Sequence, residues 1–152
     1  LAKRAGAPLF TGMGEFHRVI DTKDPGAQRY FDQGMVLAFG FNHAESIRSF
    51  RAAQKLDPEC AMCFWGEALA TGPNINVTAK GKAVMSDSEQ ASAWAALEKA
   101  RAVAAKSGAQ VVPSGKLWRV RSGPHASKAE AEAALAKARA AGYGDARIQR
   151  GN

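Results

Sequence analysis

Residues 30–70 read YFDQGMVLAFGFNHAESIRSFRAAQKLDPECAMCFWGEALA and decide the fold. Large apolar residues and small residues recur there at spacings of three and four, which is typical of amphipathic helices that pack against one another. The spacing predicts one helix from about Pro25, a second from about His43 to Leu56, and a third that starts at Asp57 and Pro58. Asp57 would be the N-cap of this third helix, and Pro58 would take its first position.

The chain contains an internal repeat of helical hairpins. Tyr30 aligns with Phe64 at an offset of 34 residues, and Phe50 aligns with Leu97 at an offset of 47. The difference indicates an insertion of 13 residues within the second hairpin. A helical hairpin of about 34 residues is the period of tetratricopeptide repeats. Glycine at position 34 should let a neighbouring helix approach closely.

The sequence from Arg29 to Pro58, followed by CAMCFWGEALATGPNIN from Cys60, resembles a group of exported bacterial tetratricopeptide-repeat proteins. The resemblance covers roughly residues 9–106. It implies antiparallel helix pairs whose concave face holds a partner peptide or protein, and it implies no enzymatic activity.

The insertion lies in a loop over residues 72–86, and compact domains seldom keep so long a loop without using it. One interpretation is that the loop forms a wall of the partner groove. Alternatively, its asparagine side chains only fix backbone turns. A capping box of Ser86 and Glu89 then predicts a helix to about Lys106. The candidate groove residues are Pro73, Asn74, Ile75 and Asn76.

After Ser107 the pattern changes to two short β-type runs, a helix that a capping box of Ser127 and Glu130 opens, and a last strand over 145–150. We therefore predict a mainly α fold of antiparallel helix pairs followed by a small, incomplete β-β-α-β segment. The expected divisions are an extended lead-in over 1–26, helical repeats over 27–106 and the C-terminal segment over 107–152.

GKLWRVRSGPHASKAEAEAALAKARAAGYGDARIQ, from Gly115, resembles the second half of a SPOR domain, the peptidoglycan-binding module of bacterial envelope proteins. A complete SPOR domain is a four-stranded sheet with two helices on one face. Repeat helices occupy the place of the missing first half, so the strands around Val120 and Ile148 should each lack a neighbour. We expect a second protomer, another protein or further sequence of this protein near Ser107 to complete the sheet.

Side chains alternate along the strand from Leu117 to Ser122, so Leu117, Arg119 and Arg121 share one face. The resemblance implies that this open face binds glycan strands, and arginine suits sugar hydroxyls and stem-peptide carboxylates. The alternative is a solvated basic strand.

The net charge of +7 lies entirely in residues 101–152, where ten basic residues face three acidic ones. A basic end on a neutral body favours an anionic partner surface. No nucleic-acid-binding motif is present, and we expect no nucleic-acid partner. The expected location is the periplasm or cell envelope, with protein partners, possible peptidoglycan binding and a homo- or hetero-oligomeric state.

Cys60 and Cys63 form a C-x-x-C pattern that leaves three roles open: small packed residues, a disulfide, or a metal or redox site. Residue 64 is Phe, so the haem-attachment pattern fails, and no nearby pattern supplies further zinc ligands. The sequence predicts no catalytic residues, no metal and no cofactor. Trp65 and Trp94, on repeat helices, are expected in the core.

Overall fold

The computed structural model describes residues 1–73, 85–106, 109–114, 117–140 and 146–149, and for 109–114 and 117–120 it describes the backbone alone. The prediction of a mainly α fold with packed helix pairs is confirmed. Within the described ranges no helix is both long and apolar enough to cross a membrane. The elements are α1 (Ala2–Ala5), α2 (Pro25–Phe39), α3 (His43–Leu56), α4 (Ala61–Thr71), α5 (Asp87–Lys106), β1 (Ala109–Ser114), β2 (Leu117–Ser122) and α6 (Lys128–Ala140).

The ring of Phe50 on α3 is the centre of the core and is fully buried. Gly34 on α2 and Gly66 on α4 both present bare backbone to it. A Cβ atom would lie 2.8 Å from the ring at Gly34 and 2.3 Å from it at Gly66. Phe31 packs edge-on at 5.7 Å between ring centroids. The close approach predicted at Gly34 is confirmed, and it lets three helices meet on one aromatic ring.

The N-terminal segment, residues 6–24, has no regular secondary structure and packs against α2 and α3. Its backbone is held by side chains of α2. The hydroxyl of Tyr30 donates to the carbonyl of Ala7 at 2.6 Å, and the amide of Gln33 accepts from the N–H of Phe10 at 2.7 Å. Burial raises the pKa of Tyr30, so its hydroxyl remains a donor at neutral pH.

The large apolar residues of this segment divide into two groups. Ile20 is buried and Leu9 packs partly against the core. Phe10, Phe16 and Val19 are 41–51% exposed, so they do not fix it. The segment is instead held mainly by hydrogen bonds to its backbone, because the side chains on this face of α2 are largely polar.

The predicted start of the third helix was wrong. Helix α4 begins at Ala61 with Cys60 as its N-cap, three residues later than expected. Asp57 instead ends α3, and its carboxylate binds elsewhere: Oδ1 accepts from the N–H of Glu59 at 2.9 Å, and Oδ2 accepts from the hydroxyl of Thr22 at 2.5 Å. These bonds form a turn over residues 57–59, which delays the helix.

Helix α5 packs along α4 and buries a stripe of small residues, Ala96, Ala100 and Val103. Its predicted capping box is confirmed: Ser86 Oγ accepts from the N–H of Glu89 at 3.2 Å, and Glu89 Oε2 accepts from the N–H of Ser86 at 2.8 Å.

The two tryptophans expected in the core differ. Trp65 packs partly against the core, as predicted. Trp94 is 61% exposed, so its placement in the core was wrong. It lies two residues before Ala96, and at about 100° per residue this places it on the face of α5 that points away from α4.

The C-terminal part contains a two-stranded antiparallel hairpin and α6. The last strand predicted over 145–150 is not formed in its described part, residues 146–149, which carry no regular secondary structure. A strand needs a hydrogen-bonded neighbour, and the described chain offers these residues none. Ile148 is 45% exposed there.

Candidate functional site

The hairpin of β1 and β2 sets which residues share a face. Its register pairs Arg121 with Gln110, Arg119 with Val112 and Leu117 with Ser114. Residues paired across an antiparallel sheet lie on the same face, so Leu117, Arg119 and Arg121 belong to one face of the hairpin. Arg121 is exposed. The other face takes the positions of Val111, Pro113, Trp118 and Val120.

The backbone therefore separates a face with two arginine positions from a face that is almost entirely apolar. Successive residues on one face of a strand are about 7 Å apart, so two guanidinium groups can engage neighbouring groups of one extended polymer. The hydrogen-bonding chemistry of arginine suits hydroxyls and carboxylates.

The connection from β2 to α6 is short. Gly123 has a φ of 106°, and a Cβ atom there would lie 2.9 Å from the ring of His125, so glycine is required. Ser127 then caps α6, because its hydroxyl accepts from the N–H of Glu130 at 3.2 Å, which is one half of the predicted capping box. The Glu130 carboxylate accepts from the N–H of Ala126 at 3.0 Å, one residue before the N–H that the box would use.

Helix α6 buries none of its residues. Its half-buried positions nevertheless fall at the spacing of an amphipathic helix, on one stripe. Within the described ranges no other element packs extensively against α6. The stripe consists of Ala131, Ala134, Leu135 and Ala138.

The candidate groove after α4 is described only at its first residue. Helix α4 ends at Thr71, Gly72 leaves it in an extended conformation, and Pro73 is exposed. Asn74, Ile75 and Asn76 lie outside the described residues, so the groove stays a prediction.

Cys60 and Cys63 form a disulfide, and both residues are fully buried. The sulfur of Cys60 also accepts from the N–H of Cys63 at 3.1 Å, which caps α4. In this state neither sulfur can act as a nucleophile or as a thiolate ligand. Within the described ranges no three metal-ligating side chains lie close enough together to hold a metal ion.

Three polar residues of α2 that the sequence analysis did not single out bind the N-terminal segment. Gln28 accepts from the N–H of Ile20 at 3.0 Å, and Asp32 accepts from the N–H of Arg18 at 3.1 Å and contacts the ring of His17 at 2.8 Å. With Gln33 they lie at spacings of four and one along α2. This cluster of polar residues on one side of α2 was the signal available in the sequence.

Residues 83–149 match the family model of the SPOR domain. SPOR domains are non-catalytic modules that bind peptidoglycan at the bacterial cell envelope. The matched range contains the hairpin and α6, and it also contains α5, which the sequence analysis placed with the helical repeats. No curated protein matches the chain, and no solved structure does.

Proposed function

We propose that this chain is a non-enzymatic protein of the bacterial cell envelope. Its C-terminal part would bind peptidoglycan, and its helical body, residues 25–106, would hold a protein partner. The observation that carries the proposal is the SPOR match over residues 83–149 together with the hairpin face that bears Arg119 and Arg121. The first supplies the ligand class, and the second supplies cationic donors for sugar hydroxyls and carboxylates.

The disulfide supports the location independently of the family match. Disulfides persist in oxidising compartments such as the bacterial periplasm and are rare in the cytosol. The buried bond between Cys60 and Cys63 is therefore expected in an exported protein.

Sedimentation with purified sacculi tests peptidoglycan binding. The full chain should pellet with sacculi, and a chain ending at Ser107 should stay in the supernatant. The substitutions Arg119→Ala and Arg121→Ala, made together, should reduce the pelleted fraction severalfold, because each arginine loses charge-assisted hydrogen bonds of about 1.5–3 kcal/mol.

The matched control is Lys128→Ala with Lys137→Ala, which removes the same charge from exposed positions of α6. Equal loss in both pairs would indicate general attraction to an anionic polymer. Equal pelleting of the full and shortened chains would contradict wall binding through the C-terminal part.

The partner groove remains our proposal for the helical body. It rests on the resemblance to tetratricopeptide-repeat proteins and on the long connection after Pro73. Replacing residues 74–76 with Gly-Ser-Gly should release a protein that the unchanged chain retains in a pull-down from native envelopes. Identical sets of retained proteins would contradict a role for this loop.

A second function is favoured by the stripe of α6, against which no described element packs extensively, and by residues 146–149, which pair with no described strand. In this alternative the chain is a structural subunit whose C-terminal part adds its strands to a neighbouring chain and binds no glycan. Light scattering should then give a mass that rises with concentration or with added partner. A constant monomer mass with retained sacculus binding would favour the first function.

A further inference from the structure

A groove with a volume of about 360 Å³ lies between residues 5–7 and the outer face of α3. Among the described residues, a short stretch of the N-terminal segment covers this face, and Arg51 on it also pairs with Glu67 of α4. The groove shares no lining residue with the hairpin or with the loop after α4. The volume falls within the range of small ligand sites, so one short peptide segment could occupy it.

Three cationic side chains line the groove in a row along α3: Arg48, Arg51 and Lys55. Two of them have carboxylate neighbours, since Arg48 lies 3.4 Å from Glu45 and Arg51 Nε donates to Glu67 at 2.7 Å.

The row keeps binding capacity despite these neighbours. Arg51 uses its Nε for Glu67 and makes no other hydrogen bond within the described ranges. Lys55 has no carboxylate within ion-pair distance among the residues the structure describes. The side chains of Arg48 and Arg51 are 58% and 60% exposed, so both can turn toward a ligand.

The floor between these cations is apolar and mostly small, formed by Ala44, Ile47 and Ala52. Gly6 lines the groove from the N-terminal segment and has a φ of 75°. A Cβ atom at Gly6 would lie 3.3 Å from Lys55 Nζ. A floor without bulky side chains lets a peptide backbone approach closely.

The dimensions fit an extended chain. From position 48 to position 55 the helix rises about 10 Å, at about 1.5 Å per residue. An extended peptide advances about 3.4 Å per residue, so about three residues span the row and two acidic side chains at i and i+2 lie within it.

We propose that this groove binds an extended acidic peptide of a partner protein, with the carboxylates held by Arg48, Arg51 and Lys55. The inference goes beyond peptidoglycan binding and beyond the proposed partner groove at residues 73–76, because it concerns a separate groove that shares no lining residue with either. Failure of the sacculus experiment would leave it unaffected, and the reverse also holds.

Fluorescence anisotropy with the full chain tests the proposal. The probe is a fluorescein-labelled hexapeptide of alternating alanine and glutamate, compared with its alanine–lysine counterpart. The chain should bind the glutamate peptide preferentially. Arg48→Gln with Lys55→Gln should weaken this binding about tenfold, as expected for two exposed ion pairs. Arg51 is left intact because it pairs with the buried Glu67.

The matched control is Arg29→Gln with Lys128→Gln, which removes the same charge from exposed positions outside the groove and should change affinity by less than about twofold. Charge reversal by Arg48→Glu with Lys55→Glu should shift the preference to the lysine peptide, with circular dichroism showing that the variant is folded. Equal binding of both peptides by the unchanged chain, or equal loss in the control, would overturn the proposal.

Discussion

At the scale of single residues, three helices can pack around Phe50 because two of the positions that face its ring are glycines. Gly34 and Gly66 leave room for its ring, and any atom added there enters occupied space. In an exposed helix, alanine would be favoured over glycine by about 1 kcal/mol. Overpacking a core costs about 1–3 kcal/mol. Because a Cβ atom at Gly66 would lie 2.3 Å from the ring of Phe50, we expect alanine at position 66 to destabilise the fold.

We therefore expect Gly66→Ala to lower the free energy of unfolding by about 2 kcal/mol, measured by urea denaturation. The second substitution Phe50→Leu should relieve the crowding. The double variant should then lose less stability than the two single variants together. Additive losses would show that Gly66 and Phe50 do not interact.

Asp57 should make stability depend on pH. Burial alone would raise the pKa of this carboxyl, but hydrogen bonds from Thr22, Glu59 and Lys23 together hold it below its ordinary value. A carboxylate with a lowered pKa in the folded state stabilises the fold above its unfolded pKa of about 3.9, and this contribution is lost as the pH falls through the folded-state pKa.

Asp57→Asn should therefore be less stable than the unchanged chain at pH 7, and the difference should shrink below about pH 4. Urea denaturation at a series of pH values measures this. Asp21→Asn is the control, since Asp21 is exposed and makes no hydrogen bond among the described residues. A difference that is constant with pH would contradict the role of the Asp57 carboxylate.

These residues also mark what sequence can predict locally. The need for glycine at position 34 followed from its place in a helical pattern. The turn at Asp57 did not, because the hydroxyl that competes for its carboxylate belongs to Thr22, 35 residues earlier. Local capping rules do not include such distant donors.

At the scale of elements, the N-terminal segment depends on Gln33. Its amide accepts from Phe10 and donates to the carbonyl of Pro8 and the hydroxyl of Ser49, while only 5% of the residue is exposed. Gln33→Leu keeps a side chain of similar volume and leaves the N–H of Phe10, the carbonyl of Pro8 and the hydroxyl of Ser49 without this hydrogen-bond partner. We expect a loss of about 2–3 kcal/mol in the free energy of unfolding.

Hydrogen exchange locates this effect, because the amide of Phe10 should exchange faster in the Gln33→Leu variant. Gln90→Leu, on the exposed start of α5, should leave both the stability and this amide nearly unchanged. Unchanged protection at Phe10 would show that the segment is held by other contacts.

The disulfide joins the start of α4 to its first turn. It closes a short loop, with a sequence separation of 3, so the chain-entropy estimate of its contribution is about 2 kcal/mol. Cys60→Ala with Cys63→Ala should lower stability by about this amount, and a reducing agent should then have no further effect on that variant. Two titratable thiols in the unreduced, denatured chain would contradict the bond.

Helix boundaries on the first hairpin could be predicted because each helix face repeats over three turns or more. The last strand could not, since a strand over 145–150 depends on a neighbour that no local pattern reports. The exposure of Trp94 could not be predicted for the same reason. The apolar character of Trp94 does not reveal that α5 contacts α4 through Ala96 and Ala100.

At the scale of the whole molecule, the described residues of the helical body and of the C-terminal part share few contacts. Within the described ranges, the extensive contact between them is that of α5 with β1. A chain ending at Ser107 should therefore unfold at nearly the same urea concentration as the full chain. A clearly lower midpoint would show that the C-terminal part stabilises the body.

The candidate glycan face was predictable only in part at this scale. Strand alternation placed Arg119 and Arg121 on one face, and the hairpin register gives the same face. Which surface packs against the stripe of α6 does not follow from the local pattern, because helical periodicity identifies an apolar stripe and not the element that contacts it.

The contact of Phe50 with two glycines has a consequence for related sequences. Positions 34, 50 and 66 share one fixed volume, so a lineage that gains a methyl group at either glycine position must reduce the ring at position 50 or lose the stacking of α2 and α4 on α3. The three positions should therefore change together during evolution, although they lie on three different helices.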